Sequence, residues 1–285
     1  MNATTGRDGL LRVGLYLTLW LGVVIALNIV AVVGWMLADP ELTLTQLAGQ
    51  AMPTWLLVGI TLSQFTAMYG LTEAIDAILG RWHPVGARLG RRERLAWNPV
   101  GPSTFGFAVL VGMTVGALGG WFALALSEIL SWEGALDFIS GALLDGPIWS
   151  RVVMGISVSL VAPLVEELVF RGWLWDALAK RSRWPGWVTC ALTTVLFAAY
   201  HLDPVQSPAV LTTGAVLGWI RLRTGSVVPC IVVHAVNNSL AVALVVLGID
   251  GGPTLPWCVG LYMLALGSVV MMRGGGVTTS VEQAT

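Results

Sequence analysis

At 285 residues, 56% hydrophobic and 11% charged, with a mean hydropathy of +0.79, the chain is too apolar for a water-soluble domain and lacks the polar composition of a disordered one. Its net charge of -1 carries no cationic excess of the kind that binds nucleic acid, so no nucleic-acid partner is expected. Cys190, Cys230 and Cys258 are scattered through apolar runs without a CxxC spacing, which supports neither a disulfide framework nor a zinc knuckle and leaves them as small packing residues.

Repeated apolar runs of ~20 residues predict an all-α, polytopic membrane helix bundle that occupies 1–285 as a single membrane domain. The first run, 13–37, follows Arg7 and Arg12; it is too long for a signal peptide, has no convincing small-x-small cleavage site, and reads as a retained span. The second covers 53–79 with Glu73 and Asp76 near its end, the third 105–126, the fourth 152–178 and the fifth 187–201. A short sixth run covers 208–220, a seventh 227–247 and an eighth 255–271, giving about eight transmembrane helices. Gly112, Gly116 and Gly120 in the third run, and Gly214 and Gly218 in the sixth, have the four-residue spacing that suits close helix packing and carry no chemistry.

The connections carry a second signal. Apart from Arg151 and Arg171, every Lys and Arg lies before the first run, between the second and third, after the fourth, after the sixth or after the eighth. The alternate connections hold Asp39, Glu41, Glu128, Glu133, Asp137, Asp145, Asp203 and Asp250. By the positive-inside rule this puts both termini in the cytoplasm of a multi-pass plasma-membrane protein, with the lipid bilayer as its solvent. Trp35, Trp55, Trp132, Trp187 and Trp257 fall near run ends, as interfacial aromatic side chains do. The basic stretch 81–97, with Trp82, Leu89, Leu95 and Trp97, reads either as a segment lying on the cytoplasmic lipid surface or as a solvated loop that sets topology. The stretch 130–144 has the composition of a short amphipathic segment on the outer face, weakened by Gly134 and Gly141.

Within the fourth run, Val165-Glu166-Glu167-Leu168-Val169-Phe170-Arg171 puts two carboxylates and a guanidinium at membrane depth, where charge is costly and functional by default. At ~100° per residue, Glu167 and Arg171 fall within ~40° of each other and Glu166 on a different face. Arg171 can therefore neutralise Glu167 while Glu166 faces a cavity; a structural Glu-Arg pair knitting helices together is the competing reading. Of the three histidines, His83 is in the basic stretch, whereas His201 and His234 sit in or at the ends of apolar runs. Phe197 is one turn before His201, and Asn238 one turn after His234, so each pair shares a helix face. Two intramembrane histidines, Asn238 and an uncommitted Glu166 on three different runs are hard to explain as independent packing events.

The ordered trio Glu166-Glu167-x-x-x-Arg171, Phe197-x-x-x-His201 and His234-x-x-x-Asn238 resembles the three motifs of the CAAX-protease and bacteriocin-processing family of intramembrane proteases, also called the Abi family. All seven named motif positions match, and they define a catalytic core at about 150–247. The resemblance implies an intramembrane endopeptidase acting on a membrane-associated or lipid-modified protein or peptide precursor. It also implies that Glu166 and His201 activate the attacking water, that His234 with Asn238 stabilises the oxyanion, and that Glu167 and Arg171 support the site.

The same residues admit a second arrangement, with Glu166, His201 and His234 as two nitrogens and one oxygen around a catalytic zinc. We favour the metal-free reading, with no cofactor, because Asn238 beside His234 suits an oxyanion donor better than a ligand. Cys230, four residues before His234, makes a Cys-His pair on paper, but in an apolar run it reads as packing. The alternative from another class is a non-catalytic membrane scaffold or transporter whose polar cluster binds an ion or a helix; no inverted repeat of broken helices supports the transporter version. Counted along ideal helices from the cytoplasmic end, Glu166 and His234 come at ~12 to 18 Å and His201 near ~20 Å, a mismatch that a tilted or late-starting fifth helix would remove.

Overall fold

A computed structural model describes residues 4–38, 54–82, 92, 95–132, 140–141, 143–144, 147–181 and 184–249. Among them all regular structure is helical: α1 (Thr4–Ala38), α2 (Thr54–Trp82), α3 (Pro102–Leu130), α4 (148–181), α5 (Gly186–Tyr200), α6 (Gln206–Thr224) and α7 (Val228–Val246). Gly9–Ala38, Pro102–Leu130, Ile148–Ala179 and Val228–Val246 are long and apolar enough to cross a membrane, while Gly186–Tyr200 is apolar but shorter. The protein is an integral membrane helix bundle. The predicted runs one to seven each correspond to one of these helices, and the eighth, 255–271, lies outside the described residues.

Helix limits follow local chemistry. Pro102 and Pro229 stand in the first turns of α3 and α7, where a missing N–H costs nothing. Gly225, at φ +64°, ends α6 in the left-handed region and returns its N–H to the Arg221 carbonyl. Before α6, Asp203 Oδ1 accepts from the backbone N–H groups of Val205 and Gln206 at 2.8 and 2.7 Å, turning the chain sharply after α5.

α4 is the irregular one. It alternates α-helix (Ile148–Ile156, Ala162–Glu167) with π-helix (Ser157–Val161, Leu168–Leu174, Ala177–Arg181). π segments inside an α-helix shift the angular register of the residues beyond them and recur at functional sites. The π segment 168–174 carries Arg171, and its Gly172 lies against Leu95, where a Cβ would come within 3.2 Å of that side chain.

α3 packs along α7, α5 along α6, and α1 along α2 and the end of α4. The glycine stripe on α3 explains the first contact. A Cβ on Gly112 would stand 2.7 Å from the Val233 carbonyl oxygen, and one on Gly116 3.3 Å from the Asn237 backbone, whereas Gly120 has open space around it. The apolar core, including Met68, Val169, Phe170, Leu174, Leu217 and Val233, surrounds the middle of α4.

Two cations assigned to connections by the sequence are internal. Arg12 is buried in α1 and pairs with Asp76 of α2. Arg221 is buried too: its Nε donates to the Arg171 carbonyl at 2.8 Å and its guanidinium lies 5.2 Å over Trp175. This is why α6 runs to Thr224, beyond the predicted end at 220: its last turn is held by tertiary contacts. The basic stretch 81–97 falls mostly outside the described residues; at its C-terminal end Trp97 is exposed, whereas the two residues before it pack inward. Leu95 and Ala96 are buried, and the Ala96 carbonyl accepts from the Val227 N–H at 3.0 Å. Most of 130–144 is also outside the described residues; 140–141 and 143–144 are helical.

The asymmetry along the stripe is testable. Gly112→Ala should force α3 and α7 apart and lower stability by about 1–3 kcal/mol, whereas Gly120→Ala should be neutral or mildly stabilising. Thermal unfolding of the two purified variants in one detergent checks this; equal midpoints would contradict the packing described.

Candidate active site

The charge pair expected from spacing is present and fully buried. Arg171 Nη1 donates to Glu167 Oε1 at 3.0 Å, within α4. Arg171 also donates through Nη2 to the Gly214 carbonyl of α6 at 3.1 Å, and its guanidinium sits 4.3 Å over the Phe197 ring of α5. Thr194 adds a second donor to the same Gly214 carbonyl at 3.0 Å. Gly214 has no side chain because Phe197, Arg171 and Thr194 fill the space a Cβ would need. The α6 glycine read as a packing residue thus also supplies a hydrogen-bond acceptor to the site.

Glu167 reaches a third helix. Its Oε1 accepts from His234 Nδ1 of α7 at 3.0 Å, so one carboxylate oxygen joins Arg171 to His234. Because a carboxylate only accepts here, His234 carries its proton on Nδ1 and turns Nε2 inward, 3.8 Å from Glu166 Oε2. That gap is too long for a direct hydrogen bond and short enough for strong electrostatic coupling. At this inward nitrogen the neutral ring presents an acceptor and the imidazolium a donor.

His201 follows the last turn of α5. Its Nδ1 lies 2.9 Å from the Phe197 carbonyl, which can only accept, so in the neutral ring Nε2 is the free acceptor. Phe197 is packed edge-on between the two imidazoles, 5.1 Å from His201 and 5.7 Å from His234 between ring centres. The depth mismatch expected from ideal helices does not keep the histidines apart, since both contact one phenyl ring; a late start is not the reason, because α5 begins at Gly186, one residue before the predicted run.

Glu166, His201, His234 and Asn238 line one cavity of about 650 Å³, and Glu167 and Arg171 do not. The separation of Glu166 from the Glu167–Arg171 pair agrees with the face argument. Asn238 Nδ2 donates to the Val158 carbonyl of α4 at 2.9 Å, which leaves its second N–H uncommitted. The cavity wall is otherwise mainly apolar and draws on α1 and α2 through Leu17, Trp20, Gln64 and Phe65. Among the described residues, no group of three His, Cys, Asp or Glu is gathered to hold a metal ion. The Cys230 thiol donates to the Leu217 carbonyl at 3.3 Å and is fully buried, so it packs as expected.

Sequence reasoning missed several contributors. Asn237 and Tyr200 line the cavity beside their motif neighbours, and Thr194 buttresses the Gly214 carbonyl. Asn237 was open to detection as a polar residue in an apolar run; the Glu167–His234 contact, across 67 positions, had no local signal.

Taken together, these are the features of a membrane helix bundle with a buried carboxylate–imidazole–carboxamide cavity. Residues 147–240 match the family model described as type II CAAX prenyl endopeptidase Rce1-like, and that segment contains every motif residue named above. That segment, about a third of the chain, is thus similar to CAAX prenyl endopeptidases of this type. The chain is also similar to a protein of Escherichia coli described as an uncharacterized 24.3 kDa protein, with 25% identity over 134 residues. That match covers 46% of this chain and 60% of the relative. No solved structure matches.

The two glutamates should behave differently in stability measurements. Glu167→Gln leaves Arg171 as a buried charge without its partner and should cost about 3 kcal/mol or more. Glu166→Gln, facing the cavity, should change stability by less than about 1 kcal/mol. Urea or thermal unfolding in detergent reads both; a Glu166→Gln loss as large as that of Glu167→Gln would overturn the division.

Proposed function

We propose that the protein is an intramembrane endopeptidase that hydrolyses a peptide bond in a membrane-associated or lipid-modified protein or peptide precursor of the plasma membrane. The observation that carries this reading is the placement of Glu166, His201, His234 and Asn238 around one cavity inside the bundle. The CAAX prenyl endopeptidase description of the matched family points to the same substrate class.

In the proposed reaction Glu166 takes a proton from a water molecule that also donates to His201 Nε2. The resulting hydroxide attacks the scissile carbonyl carbon. His234, donating from Nε2 in its imidazolium form, and the uncommitted N–H of Asn238 stabilise the oxyanion. As the tetrahedral intermediate collapses, the C–N bond breaks and the proton held by Glu166 passes to the leaving amine, regenerating the carboxylate. Glu167 and Arg171 act by position: they hold His234 and keep a second uncompensated charge out of the cavity. Every step uses this chain's own side chains, and none passes through a metal.

Glu166→Gln preserves shape and removes the base, so cleavage should fall by orders of magnitude, about 10²-fold or more. Asn238→Ala should lower the rate by about 100-fold through loss of one oxyanion donor. Membrane proteomes of cells carrying the wild-type protein or Glu166→Gln, compared for new peptide termini, identify the substrate and test the reading together. Identical sets of termini would defeat it.

Metal dependence is tested on the same purified protein. Elemental analysis should find well below one equivalent of zinc, and chelator-stripped protein should keep its activity. One equivalent whose removal reversibly abolishes cleavage would replace the metal-free route with a zinc one.

A further inference from the structure

The Asn238 carboxamide is held at both ends. Its Nδ2 donates to the Val158 carbonyl at 2.9 Å, and its Oδ1 accepts from Asn237 Nδ2 at 2.7 Å. The oxygen and nitrogen of a carboxamide have nearly the same shape, so the group's orientation is decided by its partners. Val158 O can only accept and therefore selects the nitrogen end; Asn237 Nδ2 donates and selects the oxygen end. Both choices agree, and together they set how the remaining N–H of Asn238 is presented.

The Val158 carbonyl is free to accept for a reason written into α4. In a regular helix it would accept from the N–H of Ala162, four residues on, and in a π-helix from that of residue 163. The Ala162 N–H is directed to Ser157, in the π register. Residue 163 is proline and has no N–H. Val158 therefore has no helical donor at either position, and its carbonyl is satisfied from α7 by Asn238. Glu166, the proposed base, is three residues after that proline on the same helix.

We infer that Pro163 and Asn237 are positioning residues of the proposed oxyanion site, Pro163 by releasing the Val158 carbonyl and Asn237 by gripping the opposite end of the Asn238 carboxamide. This rests on the endopeptidase reading for its kinetic consequence, though not for its geometry. It gives a buried proline in a helix a task beyond chain direction. It also sets an expectation opposite to that of a purely structural residue: Pro163→Ala restores a helical N–H, should leave the thermal midpoint unchanged or raised, and should still impair the enzyme.

Pro163→Ala and Asn237→Leu, which keeps side-chain volume without a donor, are tested in the full-length protein, alone and combined with Asn238→Ala. The substrate is one whose cleavage depends on Glu166. Each single variant should lower kcat by about 10-fold or more with KM changed less than about twofold, and neither should lower it further in the Asn238→Ala background. Wild-type kcat in both variants, or an undiminished loss on top of Asn238→Ala, would overturn the inference. A readout independent of activity accompanies this. With ¹⁵N-labelled asparagine, the Asn238 carboxamide, identified by its disappearance in Asn238→Ala, should give two well-separated, exchange-protected N–H signals that merge toward free-amide positions in Pro163→Ala and Asn237→Leu. Unchanged signals in both variants would refute it even if Asn237→Leu were too unstable for kinetics. Absence of any Glu166-dependent cleavage, with the expected carboxamide signals, would refute the endopeptidase reading and leave the positioning geometry standing.

Discussion

The site depends on one buried carboxylate. Glu167 lies where an isolated charge would be several kcal/mol too costly, and it is tolerated because Arg171 sits 3.0 Å away on the same helix. Such a pair adds little net stability over an apolar pair of equal volume, so its value lies in what else it holds. Its Oε1 also takes the His234 Nδ1 proton, and the Arg171 guanidinium takes the Gly214 carbonyl and the face of Phe197. Elements of α4, α5, α6 and α7 are thereby fixed around one charge centre. Removing either member would leave an uncompensated charge, and removing Glu167 would also release the imidazole that faces Glu166.

Close helix approach is the second requirement, because short polar side chains reach across the bundle only where backbones nearly touch. Gly112 and Gly116 let α3 press on α7 beside Val233, Asn237 and the turn that carries His234. Gly214 allows α6 to offer its carbonyl to Arg171 and Thr194. Without a hydrophobic driving force between helices in lipid, such contacts rely on packing and interhelical hydrogen bonds. The π segments of α4 add register changes at 157–161 and 168–174, on either side of the two glutamates.

What was legible in the sequence is what depends on local periodicity. Apolar runs located seven helices, with ends within a few residues except the start of α1, which begins nine residues before its apolar run, and the four-residue spacing of Glu167 and Arg171 separated that pair from Glu166. Ordered motifs on separate runs brought Glu166, His201, His234 and Asn238 into one expectation, and they line one cavity. What was not legible depends on tertiary context. Arg12 and Arg221 were counted with connections because charge is a surface signal in most contexts; each is buried through partners distant in sequence or on another helix. The Glu167–His234 contact and the release of the Val158 carbonyl required knowing which helices are neighbours and where α4 leaves the α register. Proline in the fourth run was visible, but its consequence was not.

The chemistry and the access to it come from different parts of the chain. Every residue proposed to touch the reacting atoms lies within the family-matched 147–240, and the polar network that holds them closes within α4 to α7. The cavity wall does not: Leu17, Trp20 and Val24 of α1 and Gln64 and Phe65 of α2 face the same space. Trp20 packs 5.5 Å from Tyr200, which in turn packs 5.3 Å from His201, so α1 also touches the site through an aromatic relay. A charged network tolerates little substitution, whereas an apolar wall accepts changes of volume that alter what fits beside the same cluster. A fixed polar core with an apolar wall drawn from outside it is an arrangement in which substrate preference can change while the proposed hydrolytic chemistry stays as it is.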